Sequence, residues 1–346
     1  MEENALVIAL LLIIVVLLFE FTNGFNDCAN MVVTPVVTGA LNPRTALLFI
    51  AVFEFLGAWL LGTAVADTLG KGIVNPENIT IPEIFAAVFA ALLWNLGGWY
   101  LGMPSSSSHA LIGGLLGAVA VGSGWEWIHW SKVWQVLGIL ILTPLVGLVA
   151  GHFFTKRIFD VAGNAKPGRI NRLFKRMQVF TSIGLALSHG SNDAQKGMGI
   201  ISLSLLLFYQ AAPEEMERIY QPLENQAFYV PDWVIVVCSL AIALGVSTGG
   251  WRIMKTLGAK LYKIRPIHGF SAQACSSTVI YLSSLFGFPV STTQIVSSSL
   301  LGAGSARYLG SVRWGVGRQI FLTWIITIPG SAILGGLILF LINTFL

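Results

Sequence analysis

Asn23, Asn26, Asp27 and Asn30 bring a carboxylate and three carboxamides directly behind Leu6–Phe19, a run with no charge and no polar side chain. The same Gly-x-Asn-Asp core returns 166 positions later, in Gly190-Ser191-Asn192-Asp193, with Lys196 close behind it. An ionisable side chain in an apolar span costs about 3 kcal/mol on insertion scales, so its presence points to function. Carboxylates and amide carbonyls are hard oxygen ligands suited to a small hard cation. We therefore read two cation sites, one at Asn23, Asn26, Asp27 and Asn30, the other at Asn192 and Asp193. Lys196 stands where the first cluster has Asn30, so an ion pair with Asp193 on one helix face competes with a complete second site. A capping acid is the plainer reading of Asp27, and the twin argues against it.

A second pair of motifs carries hydroxyls. Pro104-Ser105-Ser106-Ser107-Ser108-His109 matches Pro289-Val290-Ser291-Thr292-Thr293-Gln294 at an offset of 185. Proline pre-sets the first turn of a helix. The residues after it have free N–H groups at the positive end of the helix dipole. Hydroxyls at Ser105 to Ser108 and at Ser291, Thr292 and Thr293 add rotatable donors, which makes an anion site suited to a tetrahedral oxyanion. Serine and threonine are also ordinary caps and packing residues in membrane helices. The matched prolines favour the anion site. A carboxylate beside an oxyanion repels it unless a cation or a shared proton intervenes, so cation and anion binding are expected to be coupled.

Glu54, Lys196, His109 and Gln294 are further candidates for lining the cavity or coupling the two ligands. Asn95 suits interhelical hydrogen bonding, and Trp125, Trp127 and Trp130 suit a membrane-interface belt. A Ser108–His109 pair raises an intramembrane serine hydrolase. Adjacent helical residues project about 100° apart, and the second motif has Gln294 in place of the histidine, so that reading is disfavoured. The paired acids likewise disfavour a passive anion channel.

The elements that must position these groups are membrane helices. Of 346 residues, 55% are hydrophobic and 10% charged, and mean hydropathy is +0.76. A soluble protein averages about a quarter charged residues. The net charge of +4 is small and its basic residues cluster in a few places, which suits orientation in a membrane better than nucleic-acid binding. The three cysteines show no metal-ligand spacing and imply no disulfide. The acidic N-terminus is read as the start of a retained helix. Apolar segments fall at 5–22, 28–40, 45–66, 84–102, 106–122, 133–154, 178–209, 233–250, 269–287, 290–306 and 317–343. The fold class is therefore all-α: a polytopic inverted-repeat protein whose helices break at both Asn-Asp motifs. Residues 1–155 form the first repeat, 156–177 a basic cytoplasmic linker, and 178–346 the second repeat. The basic stretches Lys156–Arg176 and Arg252–Arg265 are expected as cytoplasmic loops. The acidic stretch 211–232, with Glu214, Glu215, Glu217, Glu224 and Asp232, is expected outside, together with both chain ends.

Four stretches resemble the inorganic phosphate transporter family. Phe21–Asn30 resembles its first signature. Ser188–Gly199 resembles its second, in the Gln-Lys form of prokaryotic members. Gly102–Gly113 and Phe286–Gly304, with Val312–Val316, match as well, so the resemblance spans nearly the whole chain. It implies orthophosphate import coupled to sodium or protons, with sulfate or a metal–phosphate complex as alternative cargo. It also implies two helical hairpins tipped by the Ser/Thr motifs, in a multi-pass protein of a prokaryotic plasma membrane assembled as a homodimer with no covalent cofactor; of the two coupling ions, the carboxamides lean toward sodium. The family's binding residues carry over to Asn26, Asp27, Ser105 to Ser108, Asn192, Asp193 and Ser291 to Thr293. Cys28 and Met31 depart from the family pattern, and the chain lacks a large central cytoplasmic domain.

Overall fold

The computed structural model describes residues 5–74, 78–162, 166–222 and 228–345. Its helices, in chain order, are α1 (Ala5–Val37), α2 (Pro43–Leu60), α3 (Ala64–Lys71), α4 (Ile81–Leu101), α5 (Ser107–Val121), α6 (Trp130–Ala162), α7 (Pro167–Ala211), α8 (Pro213–Met216), α9 (Asp232–Thr248), α10 (Trp251–Lys255), α11 (Pro266–Leu285), α12 (Thr292–Ser305) and α13 (Trp314–Phe345). The described residues contain no strand; Val74 and Ile128 make an isolated bridge. The all-α expectation holds.

The packing is inverted relative to a water-soluble core. Leu11, Ile141 and Phe340 are 56%, 66% and 56% exposed, whereas Asn23, Asp27 and Asp193 are 1%, 3% and 0% exposed. Such broad apolar outer faces belong in lipid, where helices satisfy their own backbone groups. Among the described residues, α1, α2, α4, α6 and α13 are long and apolar enough to cross a membrane, and α9 with the bent segment after it makes a sixth. The central motif of α7 lowers its own apolar character, because that helix carries His189, Asp193 and Lys196 mid-length.

Three expectations need correction. Neither Asn-Asp motif interrupts its helix: α1 and α7 run unbroken through Asn23–Asn30 and Ser188–Asp193. Gly24 and Gly190, inside the two motifs, permit close approach of neighbouring helices. A Cβ on Gly24 would collide with the Ile242 carbonyl of α9, and one on Gly190 with the Glu54 carbonyl of α2. The basic linker is also helical over much of its length. Lys156 and Arg157 lie on α6, while Arg169, Arg172, Lys175 and Arg176 lie on α7, in keeping with the good helix propensity of both residue types. The stretch after α9 is helical as well. Trp251–Lys260 bends 54° from α9 at Gly249, whose φ of 80° only glycine adopts readily. Glu224 and both chain ends, named above as outside, lie beyond the described residues, as do residues 163–165 of the linker.

The backbone breaks at the hydroxyl motifs. α4 stops at Gly102 (φ 65°) and α5 begins after Ser106 as N-cap. α11 stops before Gly287 (φ 71°) and α12 begins after Ser291 as N-cap. α4 packs along α5, and α11 along α12, giving two hairpins. Packing between the halves is reciprocal: α1 lies on α9 and α7 on α2, while α5 lies on α13 and α12 on α6.

Candidate functional site

The two acids project from the middles of the two longest-buried helices and meet. Asp27 on α1 accepts from Asn30 Nδ2 at 2.7 Å, one turn on, and from the Thr293 hydroxyl at the tip of α12. Asp193 on α7 accepts at Oδ2 from Asn23 Nδ2 at 3.3 Å. Thr292 joins the pair: its Oγ1 lies 3.2 Å from Asp193 Oδ2 and 3.5 Å from Asp27 Oδ2. A threonine has a single hydroxyl proton, so it can serve one acid at a time.

His189 sits between them. Its Nε2 is 3.6 Å from both Asp27 Oδ2 and Asp193 Oδ2, and its Nδ1 is 2.6 Å from Glu54 Oε1 on α2. Ligand atoms of Asp27, His189 and Asp193 all lie within 4.8 Å of one another. The expected candidate Glu54 therefore joins the centre through His189. The histidine itself was not singled out from the sequence. Its signal was there, since the 166-residue offset sets it opposite Asn23, one helical turn before the acid.

The expected cation ligands divide. The Oδ1 atoms of Asn23, Asn26 and Asn30, and Oδ1 of Asp193, are buried and take no hydrogen bond among the described residues. Asn26 is anchored by its nitrogen, which donates to the Asn95 carbonyl of α4 at 3.0 Å. Oxygens held this way suit a small cation, because buried polar atoms are rarely left unmatched. Asn192 behaves differently. Its Nδ2 donates to Ser284 Oγ and the Phe288 carbonyl at 3.0 and 3.1 Å, and its Oδ1 accepts from Val290 N at 3.3 Å. Its amide fixes the α11–α12 turn. Lys196 forms the competing ion pair, with Nζ 2.9 Å from Asp193 Oδ2.

The hydroxyl tips face each other beside this cluster. Ser105 to Ser108 and Ser291 to Thr293 are all buried. Ser106 and Ser291 are the caps, accepting from His109 N and Gln294 N at 3.2 and 3.3 Å. Ser107 accepts from Lys196 Nζ at 3.1 Å, and Ser108 donates to the Val290 carbonyl at 2.7 Å. His109 Nδ1 lies 2.6 Å from Ser106 Oγ, a pairing that resembles nucleophile and base. The other ring nitrogen faces the Gln294 amide, not a carboxylate, so the third member that orients a base is of the wrong kind.

Two further residues escaped the sequence reading. Glu20 is fully buried, and its Oε1 accepts from Gly197 N at 2.7 Å. Gln195 Oε1 accepts from Val65 N and Ala66 N at 2.7 and 3.1 Å, satisfying the first turn of α3. Both lie next to motif residues, where single polar side chains look like part of the motif.

A charged, oxygen-rich centre inside a shell of apolar-faced helices defines a multi-pass membrane protein with a buried polar core. The model of the phosphate transporter family matches residues 23–167 and 159–335. A probable low-affinity inorganic phosphate transporter of Bacillus subtilis is 39% identical over 98% of both chains. One from Rhizobium meliloti is 39% identical over 95% of both. A solved structure of a sodium-dependent phosphate transporter shares the fold, with TM-score 0.84 and 23% identity, covering 98% of this chain and 100% of that one. The chain belongs to the phosphate transporter family.

Proposed function

We propose that this protein imports inorganic phosphate by symport with sodium. The observation that carries it is the set of buried amide oxygens of Asn23, Asn26 and Asn30, in the motif that holds Asp27, left without donors among the described residues. Neutral carbonyl oxygens around one carboxylate favour a hard monovalent or divalent cation. The helix starts at Ser106 and Ser291 hold the phosphate, whose oxygens take up backbone N–H groups and the hydroxyls of Ser105, Ser107, Ser108, Thr292 and Thr293. Thr292 and Thr293 touch Asp27 and Asp193 directly. Cation entry draws those carboxylates away from the hydroxyls and cancels repulsion toward the arriving phosphate. The same contact couples the two ligands. Alternating access follows by rocking one half against the other, with the two matched repeats in inverted orientation. The relatives' names, and the sodium dependence named for the structural neighbour, support this assignment. The reading includes a homodimer.

Protons are the second reading for the coupling ion, favoured by His189 in reach of Asp27, Glu54 and Asp193. The test is uptake by purified Asp27→Asn protein in liposomes. Loss of gradient-driven phosphate accumulation is expected; accumulation equal to wild type would contradict the assignment.

A further inference from the structure

We infer that Lys196 is a built-in cation: its ammonium fills the cation position of the second half, so the two matched acids leave one exchangeable cation site instead of two.

The offset of 166 puts Lys196 at the position of Asn30, three residues past the acid. Their contacts correspond. Asn30 Nδ2 reaches Asp27 Oδ1 at 2.7 Å and Thr293 Oγ1 at 3.2 Å. Lys196 Nζ reaches Asp193 Oδ2 at 2.9 Å and Ser107 Oγ at 3.1 Å. Each ties the acid of one half to the hydroxyl tip of the other. In the first half this link is neutral, and the amide oxygens of Asn23, Asn26 and Asn30, in the same motif as Asp27, accept no hydrogen bond among the described residues. In the second half the link carries a positive charge.

The surroundings of Asp193 agree. Both residues of the pair are 0% exposed, and a fully buried lysine requires a partner charge. Asn192 spends its amide on the α11–α12 turn. Asn23 turns its nitrogen, not its oxygen, toward Asp193. Another buried acid, Glu20, accepts from Gly197 N beside the lysine. The one asparagine that matches the first motif, Asn192, has its oxygen taken by Val290 N, and the positive charge beside Asp193 is already supplied by Lys196. A tethered ammonium cannot leave with the phosphate, so it stores no gradient energy.

Because the inference rests on cation–phosphate symport at this cluster, its test separates the two. Purified protein is placed in liposomes with the membrane potential clamped at zero and a tenfold inward sodium chloride gradient. Steady-state accumulation of labelled phosphate is then read. Each coupled sodium multiplies the limiting ratio by the gradient, so wild type is expected to reach about tenfold and Lys196→Asn about a hundredfold. An unchanged ratio in Lys196→Asn with a raised phosphate KM would overturn the inference and make Lys196 a phosphate ligand. Should that variant fail to fold, wild type decides: accumulation near a hundredfold overturns the inference, and about tenfold sustains it. Asp27→Asn serves as the separate arm. If it accumulates phosphate like wild type, the symport reading itself fails.

Discussion

Gln294 Nε2 lies 3.4 Å from His109 Nε2, so the residues that close the two hydroxyl motifs meet across 185 positions of chain. Ser108 strengthens the junction by donating to the Val290 carbonyl of the opposite hairpin. Two helix starts in contact point their N–H groups into one small region, and their positive ends add. On the proposed reading, a single phosphate uses both.

Thr292 is the sharpest probe of this region, because its hydroxyl touches both acids. Thr292→Val keeps the shape and removes the hydrogen bond. A bond to a charged group is worth about 2 kcal/mol, so the phosphate KM should rise roughly tenfold or more, with expression unchanged. Thr292→Ser should restore it. The check is initial-rate uptake over a range of phosphate concentrations.

Glu54 holds His189 Nδ1 at 2.6 Å and touches neither aspartate nor hydroxyl tip among the bonds described. It is a positioning residue. Glu54→Gln keeps a hydrogen-bonding partner but removes the charge, and loss of such an outer partner costs about 10- to 100-fold in metal sites. Uptake should fall by a factor in that range, with sodium dependence weakened more than phosphate KM. Separate sodium and phosphate titrations of the variant check this.

Breaking the Lys196–Asp193 pair from one side leaves a buried charge alone, which costs about 3–5 kcal/mol. Asp193→Asn should therefore lower the melting temperature in detergent clearly. Asp193→Asn combined with Lys196→Met should recover much of that loss without recovering transport. A thermal melt of the two variants beside wild type, with phosphate uptake by each, gives the result directly.

Gly190→Ala and Gly24→Ala should each cost folded protein, since the added carbon meets a backbone carbonyl of the facing helix. Gly138→Ala, where nothing lies within 4 Å, should be silent. Yield of monodisperse protein on size exclusion separates these outcomes.

Much of the centre was legible in the sequence because a membrane chain marks its polar sites by contrast. Asp27 and Asp193 stood out against apolar runs, and the matched prolines Pro104 and Pro289 marked the neighbourhood of two helix starts, which the structure places just beyond them, after the caps Ser106 and Ser291. Helix continuity was not legible. Gly24 and Gly190 suggest flexibility in one dimension, yet in three they let helices touch, and only the facing carbonyls of Ile242 and Glu54 reveal it. His189 and Gln195 were hidden because their roles depend on partners 135 and 130 positions away. The ion pair was half legible: spacing allowed Lys196 to reach Asp193, but only packing shows that the lysine is fully buried and also grips Ser107.

The central claim is that a cation at Asp27 makes phosphate binding at the hairpin tips favourable. Labelled-phosphate uptake into proteoliposomes, driven first by a sodium gradient and then by a pH gradient alone, tests it most directly. Concentrative uptake with sodium and none with the pH gradient alone is the predicted result. Accumulation driven only by the pH gradient would contradict the sodium assignment, and equilibration without accumulation under both would contradict coupling at the twin acids.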